Sequence, residues 1–242
     1  GVVRFAVAEE SRGLDSLTAH RRFSEAAIHV QDGLAVFDPD GKQYGALAKS
    51  WEANENATEY TIRLRDDVVF HDGSKFTGAS VEAHFARVFD SKHCCNNAYQ
   101  YMGPYVGVEH IDEHTIKVKF SKPWGPFNFY IGLLDVTGIP SDKAWSVKGM
   151  EMNRDPVGAG PFKFVERVPQ SHVRFERFDD YKWGSELFGY AGPAYLDGIE
   201  VKFIADQATR AACLEAGDCD IIKAPGYTDI SRLAKNDAYE LV

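Results

Sequence analysis

Apolar and polar residues alternate along Tyr60-Thr61-Ile62-Arg63-Leu64-Arg65, the period of a pleated strand that buries Tyr60, Ile62 and Leu64 and leaves both arginines outside. The same period recurs at Ile116, Val118 and Phe120. It returns at Val173 and Phe175, opposed by Arg174 and Glu176, and at Ile199, Val201 and Phe203, opposed by Glu200 and Lys202. Helical spacing is interspersed. Phe23, Ala27, Val30 and Leu34 form one apolar stripe that stops beside Gly33, and Thr77 can cap a second helix ahead of Val81, Phe85 and Val88. A third helix should start near Asp206 and close at Gly217, and a fourth runs from a capping Thr228. Residues 142–155 are polar and weakly periodic and read as a surface connection. Strands and helices mixed without strict alternation predict a mixed α/β or α+β arrangement rather than a barrel or bundle.

Composition narrows the function classes. With 242 residues, 44% hydrophobic and 26% charged, the chain has the make-up of a folded globular protein with room for a sizeable core. Its net formal charge of −9 repels phosphate backbones, so nucleic acid is not an expected partner. The longest apolar candidate, around Phe127 to Ile139, is interrupted by Asn128, Gly132 and Asp135 and falls short of a membrane span. Four cysteines are too few for a disulfide-built scaffold. A bridge between Cys213 and Cys219 would close a very short loop, and the sequence leaves it open, as it does the state of the adjacent Cys94 and Cys95.

Catalytic signatures are missing. No G-x-S-x-G elbow, phosphate loop ending G-K-S/T or H-E-x-x-H helix occurs. Gly158-Ala159-Gly160-Pro161 lacks the third glycine of a dinucleotide loop, and Pro161 leads into a strand rather than a helix. His71 and Asp72 offer two potential metal ligands at a turn, and His110, Asp112 and His114 alternate along a strand. Turn and exposed-strand roles account for both sets more simply. Aromatic residues reach 13% and cluster at Tyr99-Gln100-Tyr101, Trp124 to Tyr130 and Tyr181-Lys182-Trp183, where rings either pack a core or line a concave surface for an organic ligand.

Taken in order, several motifs resemble one family. These are Leu14-Asp15-Ser16, Asp32-Gly33-Leu34, Ala46-Leu47-Ala48-Lys49-Ser50-Trp51-Glu52, Tyr60 to Asp66, and Val69-Phe70-His71-Asp72-Gly73-Ser74-Lys75-Phe76-Thr77. They continue through Pro156-Val157-Gly158-Ala159-Gly160-Pro161-Phe162, Tyr181-Lys182-Trp183 and Leu214-Glu215-Ala216-Gly217-Asp218-Cys219-Asp220-Ile221. The order is similar to that of the extracellular solute-binding proteins of family 5, the oligopeptide, dipeptide and nickel receptors of ABC importers. Departures are mild: Ala159 stands where the family usually has threonine, Asp32 where it has glutamate, and Asp15-Ser16 where it has Asp-Pro.

The resemblance implies a periplasmic-binding-protein-like fold of type II, peptide/nickel cluster. Residues 1–43 and 161–242 would form the first lobe and residues 44–160 an inserted β-rich subdomain, with the second lobe absent from this chain. It implies a non-enzymatic, monomeric substrate-binding component that captures a small peptide or related organic solute, without a cofactor, and passes it to a membrane permease. The location would be periplasmic or extracellular, free or lipid-anchored. A nickel or other metal chelate is the alternative ligand within the family. The arginine that some nickel-type members use to hold an anionic chelator has no counterpart in Gly132 to Gly138, where Asp135 would favour a cationic group such as a peptide amine. Matching segments nominate His20 and Ser24 on the loop from Ser16 to Ser24, Tyr99, and Asp135 and Thr137 on a turn as ligand contacts. The rival from another class is a metal-dependent hydrolase using His71, Asp72, His110 and His114.

Overall fold

A computed structural model describes residues 1–11, 13–17, 28–90 and 98–241, without the side chain of Asp135. Along the chain come β1 (Val2–Val7), β2 (Ala35–Phe37), β3 (Gln43–Gly45), β4 (Ala48–Ala53), β5 (Glu59–Leu64), α1 (Gly78–Phe89), α2 (Ala98–Met102), β6 (Tyr105–Asp112) and β7 (Thr115–Phe120). Then follow α3 (Phe127–Tyr130), α4 (Leu134–Thr137), α5 (Asp142–Lys148), β8 (Phe162–Val168), β9 (His172–Arg177), β10 (Gly198–Phe203), α6 (Gln207–Glu215), β11 (Ile221–Ile222) and α7 (Tyr227–Leu233). The chain forms two compact units, one of residues 1–10, 165–176 and 196–242, the other of residues 11–164 and 177–195. Residues 11–43 fall in the same compact unit as 44–160.

The smaller unit carries a five-stranded sheet in the order β11-β1-β10-β9-β8. β1 pairs in parallel with both β10 and β11, Val3 facing Ile199 and Phe5 facing Val201 and Ile221, while β10 and β9 are antiparallel. Parallel neighbours need a crossover, and α6 lies in the connection from β10 to β11. Its start is the expected one: the Asp206 carboxylate accepts the Thr209 N–H (2.8 Å). Gly217, at φ +74°, follows its end as predicted. Cys213, inside α6, and Cys219, just beyond it, form a disulfide across Cα atoms 5.3 Å apart, which resolves the pairing the sequence left open.

The larger unit is built on the antiparallel sheet β4-β5-β7-β6. Tyr60, Ile62 and Leu64 on β5 and Ile116, Val118 and Phe120 on β7 are all buried, as their alternation predicts. α1 lays Val81, Phe85 and Val88 into the same core, and the Thr77 N–H donates to Ser80 Oγ (3.4 Å) at its start. Phe127 closes the core, its ring 4.9 Å from Tyr60 and 5.1 Å from Phe120. Gly158 and Gly160 lie against residues 29–31: a Cβ would come 2.1 Å from the Val30 carbonyl oxygen at the first and 2.6 Å from that of His29 at the second. The pair therefore serves close backbone packing, with Gly160 N–H donating to Val30 O (2.8 Å), and the strand predicted after Pro161 is β8.

Three expectations need correction. The predicted stripe from Phe23 to Leu34 falls partly outside the described residues, and its described end is not helical: residues 28–30 turn and residues 31–33 are irregular ahead of β2. Leu34 is buried in the core cluster, and its carbonyl accepts the Ala46 and Ala48 N–H groups, which hold this segment extended beside β3 and β4. The residues read as a surface connection instead form α5 and a 3-10 turn, Gly149–Asn153, because Ser141 Oγ accepts the Ala144 N–H (3.0 Å) and Ala144 and Met152 are buried. α7 starts two residues earlier than a Thr228 cap would set, with Gly226 at the cap and Asp229 in the first turn.

Candidate functional site

In the larger unit, segments far apart in sequence meet around α4. Thr137, at its end, is fully buried; its hydroxyl donates to the Ile131 carbonyl (3.0 Å), with that of Leu133 at 3.2 Å, and accepts the Leu34 N–H (3.3 Å). Ser16 Oγ donates to Gly138 O (2.9 Å), and Ser16 N–H donates to Gln31 Oε1 (3.0 Å). α2 packs against α4 and carries Tyr99, which is 47% exposed and accepts a bond from Gln100 Nε2 (3.1 Å). The structure thus brings together the start of the Ser16 loop, the Tyr99 helix and the turn containing residues 135–137. His20, Ser24 and the Asp135 side chain lie outside the described residues, as do Cys94 and Cys95. Among the nominated side chains described, Thr137 holds the turn rigid from within, and Tyr99 presents an exposed ring.

Beneath this turn lies a polar layer that the periodicity of α1 obscures. His84 and Arg87 share the buried face with Val81 and Val88. His84 Nε2 bonds the Val136 carbonyl (2.8 Å), tying α1 to α4, and burial lowers its pKa to about 4. Arg87 Nη2 donates to both carboxylate oxygens of Asp15 (2.9 Å each), and its guanidinium stacks 3.6 Å from the centre of the Trp145 ring. The signal in the sequence is two polar residues, three apart, on an apolar helical stripe.

The aromatic run Tyr181-Lys182-Trp183 is core rather than ligand wall. Trp183 Nε1 donates to Ala159 O (2.9 Å), and Tyr181 donates its hydroxyl to Asp32 Oδ2 (3.0 Å). Burial pushes the Asp32 carboxyl up to about 7, against the pull of the Tyr181 bond and of Trp183. Trp124 is likewise partly buried against the core, its Nε1–H donating to Tyr101 O (3.0 Å).

The ligand set of the hydrolase reading does not assemble. His71 bonds Gly160 O through Nε2 (2.9 Å) and accepts the Gly158 N–H at Nδ1 (3.4 Å), so both ring nitrogens are engaged; burial lowers its pKa to about 4. The Asp72 carboxylate accepts from Ser74 and Ser141, fixing the turn. His110 pairs with Glu82 (2.9 Å), while His114 lies in the turn after β6 rather than on it. Among the described residues no group of three or more His, Cys, Asp or Glu is placed to hold a metal ion, and no helix is long and apolar enough to cross a membrane.

In the smaller unit, the carboxyl ends of the parallel strands β10, β1 and β11 share one edge of the sheet, the edge at which open α/β sheets receive ligands. The ladder continues past the strand ends, Ile204 N–H donating to Val7 O and Lys223 N–H to Ala6 O, both at 2.9 Å.

The profile of the bacterial extracellular solute-binding proteins, family 5 Middle, matches residues 42–241. The chain belongs to that family. The glutathione-binding protein GsiB of Pectobacterium atrosepticum is 30% identical over 238 residues, a match covering 98% of this chain and 45% of GsiB. Among solved structures, the periplasmic binding protein DppA of Helicobacter pylori in complex with the peptide STSA superposes with a TM-score of 0.85 at 25% identity, over 98% of this chain and 49% of DppA. AgaA from A. tumefaciens R10, in complex with agropinic acid, gives 0.84 at 29% identity, over 98% and 46%. The chain spans about half the length of the curated relatives it matches. The fold is that of the type II periplasmic binding proteins of the peptide/nickel cluster, as the motif order implied.

Proposed function

We propose that this chain is the capturing half of an extracytoplasmic, non-enzymatic receptor that takes a small peptide or related amino-acid-derived solute and delivers it to an ABC permease. The observation that carries this reading is the agreement of fold over 98% of the chain with a protein solved holding the peptide STSA. In this reading residues 1–43 and 161–242 belong to one lobe and residues 44–160 to its inserted subdomain. A second lobe completes the cleft and closes over solute by hinge motion. His20, Ser24, Tyr99 and Asp135 are the proposed contacts, and Thr137, buried beneath them, holds their turn in place rather than touching solute. The Asp135 carboxylate meets the solute's cationic amine, and Tyr99 offers its ring face. Anchoring by lipid fits the same role.

Native mass spectrometry of the full-length protein, purified without refolding, tests the assignment. A retained adduct with the mass and fragmentation of a peptide or amino-acid conjugate is expected, and Asp135→Asn should weaken its rebinding in calorimetry. A retained metal chelate, or turnover of the added solute, would overturn the reading.

A further inference from the structure

Arg210 is an arginine almost wholly removed from solvent, 1% exposed, on α6 of the smaller unit. Its guanidinium donates to four backbone carbonyls: Nη1 to Ile204 (2.7 Å) and Ala205 (2.9 Å), Nε to Lys223 (3.0 Å), and Nη2 to Ala224 (2.8 Å). The acceptors are two consecutive pairs, one just past β10 and one just past β11. Successive carbonyls in a strand point in opposite directions, so two neighbours aimed at one group require a helical twist at the residue between them. At the second pair that residue is Ala224, and it adopts φ +50°.

Nothing local favours this conformation. Alanine disfavours positive φ, and Pro225 follows, which pushes the residue before it towards extended backbone. An unfavourable backbone state persists only where its surroundings over-determine it, and such states cluster at functional positions. Here the over-determining group is the buried guanidinium, and the turn it bends lies at the carboxyl edge of β10, β1 and β11.

We infer that Arg210 is a positioning residue for solute binding, which forces the Lys223–Ala224 turn at the carboxyl edge of the parallel strands into its left-handed form. The inference rests on the receptor reading only for its binding consequence; the backbone consequence stands without it. Lysine at 210 keeps the charge but cannot reach four carbonyls with a planar fork.

In the full-length protein, Arg210→Lys is therefore expected to return Ala224 to negative φ in a crystal structure with β10 and β11 still paired. Affinity for the solute recovered with the native protein should fall roughly tenfold, the factor that corresponds to about 1.4 kcal/mol. Adding Ala224→Gly to Arg210→Lys should recover most of that affinity, because glycine takes positive φ without penalty. A role confined to stability would lower the melting temperature of Arg210→Lys without moving affinity, or would leave the double variant as weak as the single one; either overturns the inference. Ala224 remaining at positive φ in Arg210→Lys overturns it as well, even for a protein that binds no such solute, whereas that last result alone would sink only the receptor reading. Should Arg210→Lys fail to fold, Ala224→Val retains the guanidinium while resisting positive φ and is expected to show the same affinity loss; unchanged affinity there overturns the inference.

Discussion

The two units are held together by different physics. In the larger one, Tyr60, Phe70, Phe76, Phe85, Phe127 and Trp183 are each essentially buried, and their rings meet edge to face in one apolar cluster with Ile62, Val81 and Val118. In the smaller one, the buried apolar side chains are mostly aliphatic and small, Ala6, Val173, Ile199, Val201 and Ala211 among them, and Phe175 is the one buried ring among the described residues. Discrete attachments take over there: the Arg210 carbonyl clamp, the covalent Cys213–Cys219 bridge, and the pairing of Glu10 with Arg167 (2.7 Å). Dispersed apolar burial tolerates no single removal cheaply but has no single key, whereas a clamp fails at one residue. A rigid core in one unit and discrete fastenings in the other should respond to different perturbations.

The strongest way to break this contrast is Phe127→Ala. Phe127 is fully buried and meets Tyr60, Phe85 and Phe120, so its loss removes apolar transfer energy and leaves a cavity. A cost of about 3–5 kcal/mol is expected. It should appear as a drop in the urea midpoint and as faster amide exchange throughout β5 and β7. A cost near that of an exposed substitution would mean that the ring cluster does not carry the larger unit.

Next in size is the disulfide of the smaller unit. Cys213→Ser with Cys219→Ser releases a short loop, and chain entropy assigns such a loop about 2 kcal/mol. Loss of exchange protection should be confined to α6, β11 and the end of β1, with β5 and β7 unchanged. Uniform loss across both units would show them to unfold as one and would collapse the contrast.

How far the sequence foretold this arrangement depends on which force holds each part. Period-two alternation located β5, β7, β9 and β10, because their faces are decided by burial alone. α5 was invisible since it rests on the Ser141 cap and little else that is periodic. Around α4, the turn at Thr137 was legible as a turn, but the inward role of its hydroxyl depends on Leu34 and Ile131, partners that no local pattern reveals. The Asp15–Arg87 pair joins residues 72 apart, and the positive φ at Ala224 is dictated by Arg210 against every local preference. Polar fastenings are long-range choices, so the Arg210 clamp of the smaller unit and the floor of the site were the least readable, although the strands and the helix α6 around that clamp were read from their periodicity and caps.

The last test concerns titratable groups that the larger unit buries or half-buries, and here the sign distinguishes them. Asp32 titrates near 3.8 when unfolded and near 7 in the fold, raised by burial. The fold therefore binds this proton more tightly, and the stability so gained is complete below pH 3.8 and lost as pH rises through about 7. His29, His71 and His84 go the other way: burial lowers each from 6.5 to about 4, so their contribution is complete above pH 6.5 and lost as pH falls through about 4. Between pH 4 and 6.5 three histidines outweigh one carboxyl, and the stability of the unit should rise with pH. Asp32→Asn removes the opposing carboxylate while keeping a side-chain oxygen that can accept the Tyr181 hydroxyl bond. Relative to the native protein it should gain progressively in urea midpoint as pH goes from 4 to 8, with the histidine-driven rise below pH 6.5 made steeper. A gap between variant and native that stays constant over that range would place Asp32 at its ordinary pKa, in water rather than under the aromatic cover of Tyr181 and Trp183.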